Sequence, residues 1–582
     1  MFASMLGFVL SWVVIFFLFL IIIVSIVSSA SDKTVKVSDN SILEISLSSE
    51  IVERPGKNPF ENFDFSSMKP NKTLGLYDIV TAIKGAAKDE KIKGIYLNLS
   101  DIPTGIASLE EIRNALIEFK KSGKFIISYG ETYSQKAFYL ASVADKIYLN
   151  PEGSIDLKGL NASIMFFKGT LAKLEVEPQI IRHGKFKSAI EPYILDKMSP
   201  ENREQTTRFI GSIWNDMVKK ISESRKISES EINAVADNLL LQFPDQALEL
   251  KFVDGLIYKD ELLDIFKGKV EVEKVEDIKF VKLDSYLNSS GAKPSVAKTK
   301  DKIAVVYAVG EIGGGEGDDK SIGSERISRE IRNARLDENV KALVLRVNSP
   351  GGSALASEVM LREMILTKKV KPVIVSMGDV AASGGYYIAC HADVIVAQPN
   401  TITGSIGVFG MMPNLEKLMK NKLGVTIDQV KTNTHADYMN LFRPLDKYEY
   451  ETILKSVERI YDVFIGHVAE GRGVTKEYVD SIGQGRVWTG LDAKNLNLVD
   501  EIGGLDRAIE IAAEKAKLEE YRVQFLPVQK EFFEQLMEET KQTQMGMLKE
   551  ELGEMYEYYM FVKRTTNERG IQARLPYVIN IN

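Results

Sequence analysis

Short, largely apolar runs alternate along the chain with longer stretches in which apolar residues recur every three or four positions. Lys302 to Val309, Ala342 to Val347 and Pro372 to Ser376 have the length of buried strands, whereas Ser353 to Thr367 has a helical period. Strand and helix in turn predict an α/β protein with mainly parallel strands. The beginning of the chain is different: Leu6 to Val27 is an apolar run of 22 residues, and the first charged side chain is Asp32. At about 1.5 Å per residue the run reaches roughly 33 Å as a helix, which predicts one transmembrane helix. A cleaved signal peptide ending at Ser28-Ser29-Ala30 is the competing reading. The run exceeds the roughly 7 to 15 residues of such a segment, and no basic residue precedes it, so an uncleaved anchor is expected. Lys33 and Lys36 alone do not fix its orientation.

The strand and helix pattern occurs twice. Asp89 to Leu157 aligns without a gap on Asp337 to Ser405 at an offset of 248. Glu110 falls on Glu358, Ser128 on Ser376, Gly130 on Gly378, Tyr139 on Tyr387 and Asp145 on Asp393. Ala247, Val253 and Asp254 match Ala493, Val499 and Asp500 at an offset of 246. Units of this length are duplicated domains rather than solenoid repeats. The expected organisation is an anchor over 1–40, a first repeat over 41–290 and a linker over 291–300 within the Pro- and Lys-containing stretch from Ser285 to Lys300. A second repeat follows over 301–520, then a helical extension over 521–582. In that extension Phe532 to Phe561 shows near-helical apolar spacing. Its largely glutamate polar face disfavours an anionic membrane surface and suits subunit or domain packing.

Composition narrows the chemistry. With 45% apolar and 27% charged residues, most of the 582-residue chain is expected to fold in water. A net charge of -7 and a pI near 5.6 argue against a phosphate-tracking nucleic-acid binder, which needs a basic face. One cysteine, Cys390, allows no internal disulfide, and four scattered histidines give no zinc-ligand spacing, so neither metal nor cofactor is expected. The chemistry falls to Ser, Lys, Asp, Glu and backbone groups.

Ser383 follows an apolar strand and precedes Gly384-Gly385 and a helix-like segment. A serine there sits beside exposed N–H groups, and the glycines let a substrate carbonyl approach, as an acyl-transfer nucleophile requires; an ordinary N-cap is the plain alternative. Ser349-Pro350-Gly351-Gly352 can aim N–H groups at an oxyanion or be a simple β-turn. Thr403-Gly404-Ser405-Ile406-Gly407 is a third such loop, and Gly313-Gly314-Gly315 reads as flexible linkage. His391, eight residues beyond Ser383, lies about 12 Å away along a continuous helix, too far to be its base. His183 and His467 reach it only through the fold. The duplication offers another base. Gln135 occupies the place of Ser383 in the first repeat, while Lys187 falls opposite His435 in the second, within a segment, 184–192, that the second repeat lacks. Each repeat keeps one half of a site.

Lys187-Ser188-Ala189-Ile190-Glu191-Pro192, Ser349 to Gly352, Ala381-Ala382-Ser383-Gly384-Gly385-Tyr386 and Thr403 to Gly407, in this order across the repeats, resemble the long, two-domain form of bacterial signal peptide peptidase A. The resemblance covers the anchor and both repeats. It implies a tandem duplication of a Clp-protease-like (crotonase-like) domain and a membrane-anchored Ser/Lys endopeptidase. It also implies an anchor in the bacterial cytoplasmic membrane with the bulk of the chain on the extracytoplasmic (periplasmic) side, an assembly of four chains, and hydrolysis of signal peptides left in the membrane. Ser383 then matches the nucleophile, Lys187 the base and Ser405 the serine that orients the lysine, with Gly384 and Gly351 or Gly352 as oxyanion donors. Asp379, in Met377-Gly378-Asp379-Val380, stands where a small residue is often found. To act as base, Lys187 must be desolvated, because a lysine in water stays charged at pH 7. Two other readings are an acyl-CoA enzyme of crotonase-like fold, which calls for a CoA groove and usually a carboxylate, and an inactive membrane scaffold.

Overall fold

The computed structural model describes residues 36–56, 73–292 and 297–529, with 7, 11, 63–64, 69–70 and 572–574. The 6–27 run, apart from Gly7 and Ser11, and the 532–561 tract lie outside the described residues. Among the described residues, no helix is long and apolar enough to cross a membrane.

Two sheets carry the two repeats. The first has six parallel strands in the order Gly255–Leu256, Lys146–Ile155, Phe125–Tyr133, Ile92–Asn98, Ser41–Ile45 and Lys279–Lys282. The second runs Val487–Thr489, Ile402–Gly404, Val373–Ala382, Val340–Ser349, Lys302–Val309 and Arg522–Leu526. Val394–Ala397 also pairs with Val373–Ala382 and leads to Glu501–Ile502. Only Val487–Thr489 pairs antiparallel in it. Ala342 to Val347 can be wholly apolar apart from Arg346 because helices cover both faces of a parallel sheet.

The helices extend the duplication beyond what sequence identity reveals. Leu76–Lys88 and Ile106–Lys120 reappear at Ser324–Leu336 and Ala354–Lys368, both shifted by 248. The long helix Pro200–Arg225 reappears at Lys447–Arg472, shifted by 247, and Lys259–Val270 at Leu505–Ala516, shifted by 246. The offset first changes between 157 and 200, the stretch that holds Lys187. Lys187 therefore has no strict counterpart, and His435 instead lies beside Glu449 in the long helix of the second repeat.

Three local features add to the sequence reading. Arg522–Leu526 is not the start of a helical extension but an edge strand, parallel to Lys302–Val309, just as Lys279–Lys282 closes the first sheet. Within the expected linker stretch, Ser285 to Leu287 belong to a short helix, Leu283–Leu287, held by the burial of Leu283 and Tyr286 in the first core. Gly313 ends a strand, Glu311–Gly313, that pairs with Ser321–Gly323 and, through Ile312, with Gly352.

The repeats are packed into one another. Ala382, Ile402 and Val487 of the second repeat belong to the hydrophobic core of the first. The wholly buried guanidinium of Arg346 donates to Glu53 at 2.8 Å and to Glu111 at 2.7 Å, both in the first repeat. Asp379 accepts from the N–H of Ser108 at 3.0 Å and from its hydroxyl at 2.5 Å, at the start of helix Ile106–Lys120. The acidic departure is thus committed to the contact between repeats, where its charge also suits a helix N-terminus.

Candidate functional site

Strand Val373–Ala382 delivers Ser383 to the start of helix Gly384–Ala389 in a posture that an L-residue adopts at a cost, with φ +55° and ψ −113°. The backbone is held on both sides: the Ser383 N–H donates to the Gly404 carbonyl at 2.8 Å, and the Tyr387 N–H donates to the Ser383 carbonyl at 2.8 Å. The Ser383 side chain makes no cap bond. The first repeat shows what the cap alternative looks like. There Ser134 has φ −64° and accepts from the Ala137 N–H, so helix Gln135–Ala141 starts one position earlier. Gln135, at the place of Ser383, accepts from the N–H groups of Lys158 and Gly159 at 3.1 and 3.0 Å. The fold therefore does not itself require the strained serine.

Lys187 enters from the other repeat along a two-stranded ladder. Glu177–Arg182 pairs antiparallel with Phe409–Asn414, from Glu177 opposite Asn414 to Arg182 opposite Phe409. Beyond the ladder the Phe186 N–H donates to the Gln484 carbonyl at 3.0 Å. The buried Gln205 amide then spans the lysine: its Nε2 donates to the Phe186 carbonyl at 3.0 Å and to Ser188 Oγ at 2.9 Å, while its Oε1 accepts from the Val487 N–H at 3.2 Å. Gly485, at φ +84°, lies flat against the Lys187 backbone.

The result is a wholly buried amine. Lys187 Nζ lies 2.9 Å from Ser383 Oγ, 3.1 Å from Ser405 Oγ and 3.3 Å from the Ser405 carbonyl, with the Phe409 ring centroid 6.0 Å away. Burial pulls its pKa well below the ordinary lysine value, and no neighbouring carboxylate restores the charge. A neutral amine has two N–H donors and one lone pair. Those match two acceptors on Ser405 and one hydroxyl donor on Ser383. Ser405 is itself held at φ +50°, with its N–H donating to the Arg486 carbonyl at 2.7 Å.

The remaining sequence candidates divide. Gly384 is the first residue of its helix, so its N–H has no intrahelical acceptor. Gly352 packs so closely on Ile312 that a Cβ would come within 2.1 Å of the Ile312 carbonyl oxygen. Gly351 is already engaged: its N–H donates to Ser349 Oγ at 3.1 Å. The helix after Ser383 stops at Ala389, and the His391 ring lies against that of His467, 5.5 Å between centroids. Gln205, Gln484, Gly485 and Phe409 were missed by sequence reasoning. Only Gly483-Gln484-Gly485 carried a signal, that of a turn.

Comparison with known proteins places one family match in each repeat: residues 118–273 and 365–519 both match peptidase family S49. Protease 4 of Salmonella typhi is 38% identical over 529 residues, covering 88% of this chain and 84% of that protein. Protease 4 of Haemophilus influenzae is 41% identical over 458 residues, 76% of this chain and 73% of that protein. Serine protease SPPA, chloroplastic, of Arabidopsis thaliana is 34% identical over 453 residues, 77% of this chain and 67% of that protein.

Proposed function

The chain belongs to peptidase family S49, as a serine peptidase of the signal peptide peptidase A (protease IV) type, and from that premise we propose that Ser383 and Lys187 cut peptide bonds as a nucleophile–base pair. The observation that carries the reading is the 2.9 Å contact between Lys187 Nζ and Ser383 Oγ inside a site where the amine is desolvated. Ser383 Oγ attacks the scissile carbonyl carbon as its proton passes to the Lys187 lone pair, giving a tetrahedral oxyanion and an ammonium. The ammonium returns that proton to the leaving nitrogen as the C–N bond breaks, leaving an ester on Ser383. Water then attacks the ester carbonyl and gives a proton to Lys187, which passes it to Ser383 Oγ as the acid departs. The Gly384 N–H, with that of Gly352, is assigned to the oxyanion. Ser405 orients the amine. None of these steps uses a cofactor.

The substrates are peptides, and the class we propose is remnant signal peptides in the membrane. The chain is held at the bacterial cytoplasmic membrane by its 6–27 run, with the repeats on the extracytoplasmic side, in an assembly of four. We assign each repeat to the Clp-protease-like (crotonase-like) fold. These proposals rest on the motif set and on the apolar run. The acyl-CoA reading usually calls for a carboxylate at the reacting centre; among the described residues none bonds to Ser383 or Lys187.

The test is a mass-spectrometric one. A serine-reactive phosphonate is expected to add to Ser383 in the full chain, and a synthetic signal peptide in vesicles is expected to be cut by wild-type protein and left intact by Ser383→Ala. Labelling elsewhere with Ser383 unmodified, or cleavage by the alanine variant, overturns the proposal.

A further inference from the structure

The two repeats surround an equivalent carboxylate with different side chains. In the first, Glu110 is almost fully buried and faces Lys220, whose Nζ lies 2.7 Å from Glu110 and 2.7 Å from Asp216, and Tyr139 also donates to Glu110. In the second, Glu358 takes the place of Glu110 and Tyr387 that of Tyr139, with the Tyr387 hydroxyl donating to Glu358 at 2.6 Å. The lysine is gone. His467 stands at the position of Lys220 and Val463 at that of Asp216, while His391 replaces the buried Val143.

Those replacements bring together imidazoles that are distant in sequence. His391, His467 and Glu470 each present a ligand atom within 4.8 Å of the others. Nε2 of His391 is buried with no hydrogen-bond partner, in a residue only 7% exposed, which is a costly state for a polar nitrogen. His467 Nε2 lies 3.1 Å from Glu358. When that nitrogen donates to the carboxylate, the other ring nitrogen keeps its lone pair, the carboxylate–histidine arrangement that orients metal-binding imidazoles. Glu470 is exposed, and Glu358 against His467 is half-exposed, so the cluster is open to solvent on one side.

We propose that His391, His467 and Glu470 bind one divalent transition-metal ion, zinc(II) by their donor set, with Glu358 holding the His467 ring. Two imidazoles and a carboxylate are a zinc(II) ligand set, and a tetrahedral ion with bonds of about 2.0 to 2.2 Å would draw these atoms somewhat closer together. The ion would fasten residue 391, just beyond helix Gly384–Ala389, to the long helix Lys447–Arg472. The two are already so close that a Cβ on Gly471 would come within 2.2 Å of the Cys390 carbonyl oxygen. It lies at the far end of the helix that begins after Ser383, so its effect is on the support of the nucleophile and not on the bonds made and broken.

The duplication supplies the controls. His467→Lys and His391→Val each restore the residue that the first repeat folds with. Untagged full chain, stripped with a chelator, is titrated with cobalt(II) and then zinc(II). The wild type is expected to take up one equivalent of cobalt(II) with the visible absorption of a four-coordinate ion, to release it to zinc(II), and to show a higher thermal midpoint with zinc(II). Each variant is expected to bind more than about tenfold more weakly, the lower limit for losing even an outer partner of a ligand. His435→Ala, at the other histidine-containing acidic cluster, is expected to bind as wild type. Failure of the folded wild type to bind, binding that both variants retain, or binding lost in His435→Ala overturns the site.

Discussion

Gly485 of the second repeat lies so close to Lys187 of the first that a Cβ on it would come within 2.6 Å of the lysine N, Cα and Cβ. Two separate requirements exclude a side chain there, since the residue also has φ +84°. Gly485→Ala must displace the lysine backbone from its present position against Ser383. A displacement approaching 1 Å at a catalytic group costs on the order of a hundredfold. The expected outcome is kcat lower by about ten- to a hundredfold, with KM nearly unchanged and the circular dichroism of the wild type. Steady-state kinetics on a fluorogenic peptide measures it.

Burial sets the protonation state of Lys187, and the sign of the pH dependence follows. Its pKa is well below the ordinary lysine value because desolvation disfavours the ammonium. The amine is the active base, so activity is expected to rise as pH rises through this lowered pKa and to fall on the acid side of it. Stability follows the same direction: between the lowered folded value and the ordinary unfolded value the unfolded chain binds more protons, so this group's contribution grows with pH across that window. Lys187→Met is expected to be as inactive as Ser383→Ala at every pH. Lys187→Arg, which cannot give up its proton, is expected to be equally inactive. Turnover by either lysine variant at the wild-type level ends the assignment.

Gln205 acts on the lysine only through its neighbours, and a chemical variant separates its two halves. Gln205→Glu keeps an acceptor for the Val487 N–H but loses both donors, to the Phe186 carbonyl and to Ser188 Oγ. It also buries a carboxylate near Lys187, which favours the ammonium. The acid limb of the pH–kcat profile is therefore expected to move to higher pH, with KM little changed. Gln205→Met removes the bonds without the charge and is expected to lower kcat without that displacement. A glutamine that does not position the lysine would leave the kcat of Gln205→Met at the wild-type level.

Much of this was legible in the sequence because the chain carries its own comparison. The alternation of elements, the duplication and the unequal fates of Ser383 and Gln135 needed no structure. What escaped was whatever depends on long-range contact. Gln205 is one polar residue on an amphipathic helix, and nothing local ties it to Phe186 or Val487. The engagement of the Gly351 N–H by Ser349 depends on a side-chain rotamer, which a Pro-Gly turn signal does not specify. Arg522–Leu526 escaped because an edge strand with one buried residue has little hydrophobic pattern, and its partner lies at Lys302–Val309. The His391 and His467 cluster escaped for the same reason, its members being on separate elements.

Arg346 interrupts an otherwise apolar central strand, and it shows how a site divided between repeats is kept whole. Its guanidinium is fully buried between Glu53 and Glu111 and also donates to Ser376 Oγ at 2.8 Å. Burial opposes its charge, yet Glu111 and Glu53 hold its pKa above the ordinary arginine value. Glu111 shows the balance from the other side: burial raises its pKa, against the pull of Arg346. A buried ion cluster is worth little against an apolar replacement, but breaking one member strands the others, at about 3 to 5 kcal/mol. Arg346→Met is therefore expected to lower the denaturant midpoint strongly. Adding Glu53→Gln and Glu111→Gln removes the stranded charges and keeps an acceptor for the Leu505 N–H, which Glu111 holds at 3.0 Å. The triple variant is expected to regain most of the lost stability. Because Lys187 and Ser383 come from opposite sides of this contact, activity is expected to be lost at lower denaturant than the helical signal in Arg346→Met, and together with it in the wild type. A triple variant no more stable than Arg346→Met would show that the cluster contributes through its attraction and not through the cost of leaving it incomplete.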